Sequence, residues 1–199
     1  MADPKLTEKA LDALLGEIPF ALNGATLTLV PSDTLLDSAR FERFLIDERV
    51  DTLFLTTRLF DRYVATGHAA MFRALDQLMV GGEAMDPATM AAVWHCPQGR
   101  PRRLYNVYGP TENTSFTTAY EISEASLREA HVPIGKPISG TQVYVLDAAL
   151  RQVPIGVAGE LYTAGAGLAR GYLGADERAA AAFVEAFLPD ASDPQPRLR

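Results

Sequence analysis

The sequence predicts an α/β fold: strands and helices alternate as in a parallel sheet, and a β-rich segment follows. Three observations carry this. Leu6, Ala10, Leu11, Leu14, Leu15 and Ile18 recur at the spacing of one helix face. Short strand-like runs near Thr52–Thr56, Leu75–Val80 and Leu104–Val107 are separated by helical stretches. Beyond about residue 114 the texture becomes Thr114–Tyr120, Gln142–Leu146 and Glu160–Ala164, broken by turns at Pro137, Gly140 and Pro154-Ile155-Gly156.

Taken in order, Thr7 can cap the first helix, and Asn23-Gly24 turns the chain into the β-rich run Thr26–Val30. Phe41, Phe44, Leu45 and Glu48 fit a short helix, and Arg58–Ala65 a second. Gly81-Gly82 ends the strand before them. Asp86 caps a helix with Pro87 in its first turn, running through Trp94. Ala179–Ala182 favours a helix over Asp176–Ala186. Pro189–Arg199, with its prolines, Asp and Ser, reads as loop or linker. The expected organisation is a tail at 1–9, an α/β portion at 10–130, a β-rich portion at 131–188 and a linker at 189–199.

With 199 residues, 48% hydrophobic and 22% charged, the chain has the composition of a soluble globular protein. A net charge of -7 argues against a nucleic-acid footprint and against an anionic membrane surface. No apolar run reaches the length of a membrane span, and Met1–Lys9 is not a secretory signal. Cys96 is the sole cysteine, and His68, His95 and His131 are dispersed, so neither a disulfide nor a zinc or iron site is expected. A cytoplasmic location follows as the expectation.

Four segments carry chemistry. Asn106-Val107-Tyr108-Gly109-Pro110-Thr111-Glu112 follows a predicted strand, where open α/β sheets place ligand loops. Thr111 can donate to a phosphate oxygen while Glu112 ligates Mg²⁺. Asn106 offers the donor and acceptor that an adenine edge requires, and Tyr108 a stacking face. The same residues also describe a tight turn with a capping threonine. Gly159–Leu173 holds Gly165-x-Gly167, which fits either a phosphate loop or a structural turn. Val132–Pro137 is a rigid loop containing Lys136, and Leu78–Ala84 ends a strand on two glycines.

In this order the four segments resemble the adenylate-forming superfamily, and specifically the amino acid adenylation domains of nonribosomal peptide synthetases. The resemblance runs from about residue 10 to the end, as part of the large N-terminal subdomain. It implies activation of an amino acid with ATP and Mg²⁺ as aminoacyl-AMP, then transfer to the phosphopantetheine thiol of a carrier protein. It implies that Thr111 and Glu112 are catalytic, with Glu112 holding the metal, and that Gly82, Asn106, Tyr108, Gly109 and Thr111 bind the nucleotide. The implied substrate pocket is Asp12, Ala13, Gly16, Arg58, Met79, Gly81, Val107, Ser115 and Phe116, with Asp12 on the α-ammonium group. Asp12 also fits an exposed place on an amphipathic helix, and Arg58 a helix surface. An inward Arg58 would need an anionic or hydrogen-bonding substrate group.

The family also needs a phosphate loop ending in Pro-Lys-Gly, a Thr-Gly-Asp segment and a lysine in a small C-terminal subdomain. None is found among these residues, and Lys5, Lys9 and Lys136 lie in other contexts. The expectation is a fragment that does not adenylate by itself. The alternatives are an acyl- or aryl-CoA ligase fragment and a non-catalytic binding module. A small MbtH-like helper protein is a further possible partner, near Ala179 to Phe187.

Overall fold

A computed structural model describes residues 26–172, 182–186 and 195–198. The chain divides into two units, one of residues up to Tyr105 together with Ile122–Val132, the other of Asn106–Glu121 together with Pro133 onward. The helix expected over Leu6–Ile18 lies outside the described residues.

The first unit opens with helices α1 (Ser32–Leu36) and α2 (Ser38–Asp47), followed by β1 (Thr52–Thr56) and α3 (Thr57–Ala65). A 3-10 turn at Ala69–Ala74 leads to β2 (Gln77–Gly81), α4 (Pro87–Trp94) and the start of β3 (Arg103–Tyr108). Asp37 caps α2 by accepting from the N–H groups of Ala39 and Arg40. Asp86 caps α4 in the same way through Ala88 N–H, with Pro87 in the first turn as its sequence requires. β1 and β2 pair in parallel from Thr52↔Gln77 to Thr56↔Gly81, and β3 is the next strand after β2. Leu55, Leu78 and Val80 are buried, and so are Phe60, Tyr63 and Phe72 from α3 and the 3-10 turn. Phe41 stacks on Tyr63 at 5.4 Å between ring centroids, and Phe60 on Phe72 at 5.8 Å. Burial pushes the Tyr63 phenol up to about 12.

In the second unit the end of β3 is followed by a 3-10 turn at Thr111–Asn113, then β4 (Thr118–Glu121) and β5 (Lys136–Pro137). β4 and β5 are antiparallel. A separate sheet contains β6 (Thr141–Leu146), β7 (Glu160–Gly165), β8 (Phe183–Ala186) and β9 (Gln195–Leu198) in the order β6-β7-β9-β8. Leu146 and Tyr162 form its core, with Tyr144, Leu150 and Val184 packed against them.

Four expectations change. Thr26–Val30 forms no strand. Of Thr114–Tyr120, only the part from Thr118 is strand, because Thr114 and Ser115 adopt left-handed backbone at φ 53 and 72. Of the helix expected over Asp176–Ala186, residues 176–181 lie outside the described residues, and Phe183–Ala186 is a strand. There Val184 packs on the Leu146–Tyr162 core, and the strand pairs with β9. Gln195–Leu198, read as linker, pairs with β8.

Candidate functional site

The second unit gathers most of the residues expected at the nucleotide. Asn106 and Val107 lie buried near the end of β3, and Tyr108 ends it 41% exposed. Asn106 Nδ2 donates to the carbonyl oxygen of Pro133 at 2.9 Å. This ties the segment at Pro133 to the strand and uses one of the two amide N–H donors, while the amide oxygen is the acceptor of that side chain.

Gly109 and Pro110 then turn the chain. A Cβ on Gly109 would lie 2.5 Å from Thr117 N and 2.6 Å from Ser115 O, so only glycine lets these backbones approach. The turn closes through Asn113 N–H to Pro110 O at 3.1 Å and Thr114 N–H to Thr111 O at 3.2 Å. It carries Thr111 exposed and Glu112 half-buried. Beneath them Asn113 is buried and its Nδ2 donates to Thr117 Oγ1 at 2.8 Å, while Thr117 N–H donates to Tyr108 O at 2.7 Å. Ser115, in left-handed backbone, and Phe116 complete the loop half-buried.

Two residues that spacing did not single out hold Glu112. Ala169 N–H donates to its carbonyl oxygen at 2.7 Å. The Tyr172 hydroxyl donates to its carboxylate Oε1, sixty residues away. That hydrogen bond raises the Tyr172 phenol above its ordinary value. The Ala169-Arg170-Gly171-Tyr172 run was visible in the sequence, but no local pattern links it to Glu112.

Of the remaining site residues, Arg58, Met79, Gly81 and Gly82 belong to the first unit. Met79 is half-buried on β2 and Gly81 is buried at its end. Gly82 has φ 102 with no atom within 4 Å of a Cβ position, an open glycine at the strand terminus. Arg58 lies in the first turn of α3 with its side chain 84% exposed, and its Nε donates to Glu83 Oε1 at 2.8 Å. This guanidinium already has a counter-charge. Asp12, Ala13 and Gly16 lie outside the described residues.

The donor set at the turn, a threonine hydroxyl beside a glutamate carboxylate, is made of hard oxygens. That suits Mg²⁺, which takes one or two carboxylates together with phosphate oxygens. Among the described residues no group of three or more His, Cys, Asp or Glu could hold a metal ion.

Residues 10–173 match the AMP-binding enzyme family. The chain belongs to that family. Its relatives include tyrocidine synthase 3 of Brevibacillus parabrevis, 41% identical over 87% of this chain and 3% of that protein. Surfactin synthase subunit 2 of Bacillus subtilis is 41% identical over 82% of this chain and 4% of its own length. The nonribosomal peptide synthetase asaC of Aspergillus flavus is 36% identical over 91% of this chain and 18% of its length. The AMP-binding chain therefore spans a small part of each of these curated relatives.

Solved structures agree. PA1221, an NRPS protein containing adenylation and PCP domains, matches with a TM-score of 0.80 and 31% identity, over 97% of this chain and 38% of that one. Klebsiella oxytoca NpsA in complex with 3-hydroxyanthranilyl-AMSN matches at 0.75 and 29% identity, over 89% of this chain and 35% of that one. This AMP-binding chain thus has the α/β fold of adenylation domains. Among the described residues no helix is long and apolar enough to cross a membrane.

Proposed function

We propose that this chain is a central part of the large subdomain of an amino acid adenylation domain in a nonribosomal peptide synthetase. In the complete domain the substrate carboxylate attacks the α-phosphorus of ATP, pyrophosphate leaves, and the acyl group passes from AMP to a carrier-protein thiol. The observation that carries this reading is the fixed turn bearing Thr111 and Glu112 directly after the Asn106 strand, in a chain of the AMP-binding family.

Asn106, held by its N–H to Pro133 O, offers its amide oxygen to the amino group of adenine. Tyr108, exposed beside it, supplies an apolar face for the base. Gly82, with no atom near its Cβ position, leaves bare backbone for a ligand, and Gly109 lets the turn bearing Thr111 and Glu112 close on Ser115–Thr117. Thr111 donates to a phosphate oxygen, and Glu112 holds Mg²⁺, which neutralises phosphate charge when bound. Val107, Ser115, Phe116, Met79, Gly81 and Arg58 contribute to the acyl pocket, together with Asp12, Ala13 and Gly16. Because Glu83 pairs with Arg58, the geometry does not demand an acidic substrate side chain. PA1221 contains a PCP domain beside its adenylation domain, which supports a carrier protein as partner here. A second reading, an aryl acid as substrate, draws on the likeness to NpsA.

The test is thermal stabilisation of the full polypeptide containing this chain by non-hydrolysable adenylate analogues. A ligand at 100 times its Kd stabilises by about 2.7 kcal/mol. Stabilisation by an aminoacyl analogue supports the proposal, and stabilisation by an aryl analogue alone supports the second reading. No shift with either contradicts both and leaves a non-catalytic binding module. The chain of 199 residues by itself is expected to show no ATP–pyrophosphate exchange.

A further inference from the structure

The segment Ala166–Tyr172 has a place in the second unit beyond its family pattern. Three hydrogen bonds tie it to the turn bearing Thr111 and Glu112. Ala169 N–H reaches Glu112 O at 2.7 Å, and Thr114 Oγ1 donates to Gly167 O at 2.7 Å. The third bond is different in kind, because the Tyr172 hydroxyl holds the carboxylate itself. Gly167 lies so near the turn that a Cβ there would be 3.2 Å from Asn113 O. Tyr172 is fixed in its turn, its ring edge-on to Phe183 at 5.5 Å and 76°.

A glutamate side chain has three rotatable bonds, and an exposed one samples many orientations. A phenol bonded to one carboxylate oxygen removes most of that freedom and leaves the other oxygen for a cation. We propose that Tyr172 is a positioning residue for Glu112, ordering its carboxylate for the divalent cation of the nucleotide. This rests on the reading of Glu112 as the cation ligand. Partners that orient a metal ligand typically govern affinity or activity by about 10- to 100-fold.

The test is Tyr172→Phe, which keeps the ring on Phe183 and deletes the hydroxyl, made in the full polypeptide containing this chain. Two readouts are followed: the Mg²⁺ midpoint of amino-acid-dependent ATP–pyrophosphate exchange, and Mn²⁺ binding with ATP present, by electron paramagnetic resonance. The expected result is a midpoint raised about tenfold or more and a matching loss of Mn²⁺ affinity, with kcat at saturating Mg²⁺ and Tm near wild type. Glu112→Gln runs alongside. If it weakens the cation and Tyr172→Phe leaves both midpoints unchanged, the positioning role is overturned while Glu112 stands as ligand. If Glu112→Gln itself leaves Mn²⁺ binding unchanged, the reading of Glu112 falls and the proposal with it. Tyr172→Leu removes the ring as well. A Tm lowered by Leu, with Phe indistinguishable from wild type in every readout, would reduce Tyr172 to packing alone and overturn the proposal.

Discussion

Asn106 donates its side-chain amide to the carbonyl oxygen of Pro133 at 2.9 Å, twenty-seven residues along the chain. Asn106 is only 4% exposed, so water cannot readily replace that bond. Asn106→Asp sets a carboxylate against a carbonyl, two acceptors facing each other. A loss of about 1–3 kcal/mol is expected, read as a lowered urea midpoint with an unchanged m-value. A midpoint equal to wild type would mean that the loop is held by other contacts.

Gly109 is fixed by space rather than by dihedral angle. A Cβ would lie 2.5, 2.6 and 2.7 Å from backbone atoms of Thr117, Ser115 and Phe116, none of them the end of a flexible side chain. Gly109→Ala must therefore spread the turn that carries Thr111 and Glu112. The expected cost is about 1–3 kcal/mol, as for overpacking elsewhere. Nucleotide analogue binding should fall more than stability does, and isothermal titration beside a urea melt checks this.

Asp61 gives a pH-dependent prediction. Its Oδ1 is buried without a hydrogen-bond partner. Burial, with Asp86 and Glu83 nearby, holds its carboxyl above the ordinary 3.8. For a group raised on folding, the stability contribution is fully present below 3.8 and is lost as pH rises through the folded value. At neutral pH the ionised carboxylate is a cost. Asp61→Asn is therefore expected to raise Tm at pH 7 by about 2 °C or more, and the gain should vanish near pH 3. A gain of equal size at both pH values would refute the electrostatic account.

Much of this fold was legible because local rules and packing agree. Asp86-Pro87 marks the start of α4 through a cap and a fixed φ, both decided within four residues. Thr52–Thr56 is strand with the expected bounds, with Leu55 buried in the core. Phe183–Ala186 was not legible. Its sequence neighbours favour helix, whereas the strand rests on pairing with Gln195–Leu198 and on Val184 packing against Leu146 and Tyr162, contacts no local pattern shows. Thr114 and Ser115 show the same limit, because their left-handed backbone follows from the close approach at Gly109 and not from their own preference. At the candidate site the motif around Glu112 could be read directly. The hydroxyl of Tyr172 on its carboxylate could not, since that contact exists only once two segments sixty residues apart have folded together.

The most direct test of the central claim is amino-acid-dependent ATP–pyrophosphate exchange by the full polypeptide containing this chain, with and without Glu112→Gln. The account predicts exchange with one or a few amino acids and a loss of about 100-fold or more in the variant, the scale expected when charge stabilisation at the phosphates is removed. Exchange at the wild-type rate in Glu112→Gln would contradict it.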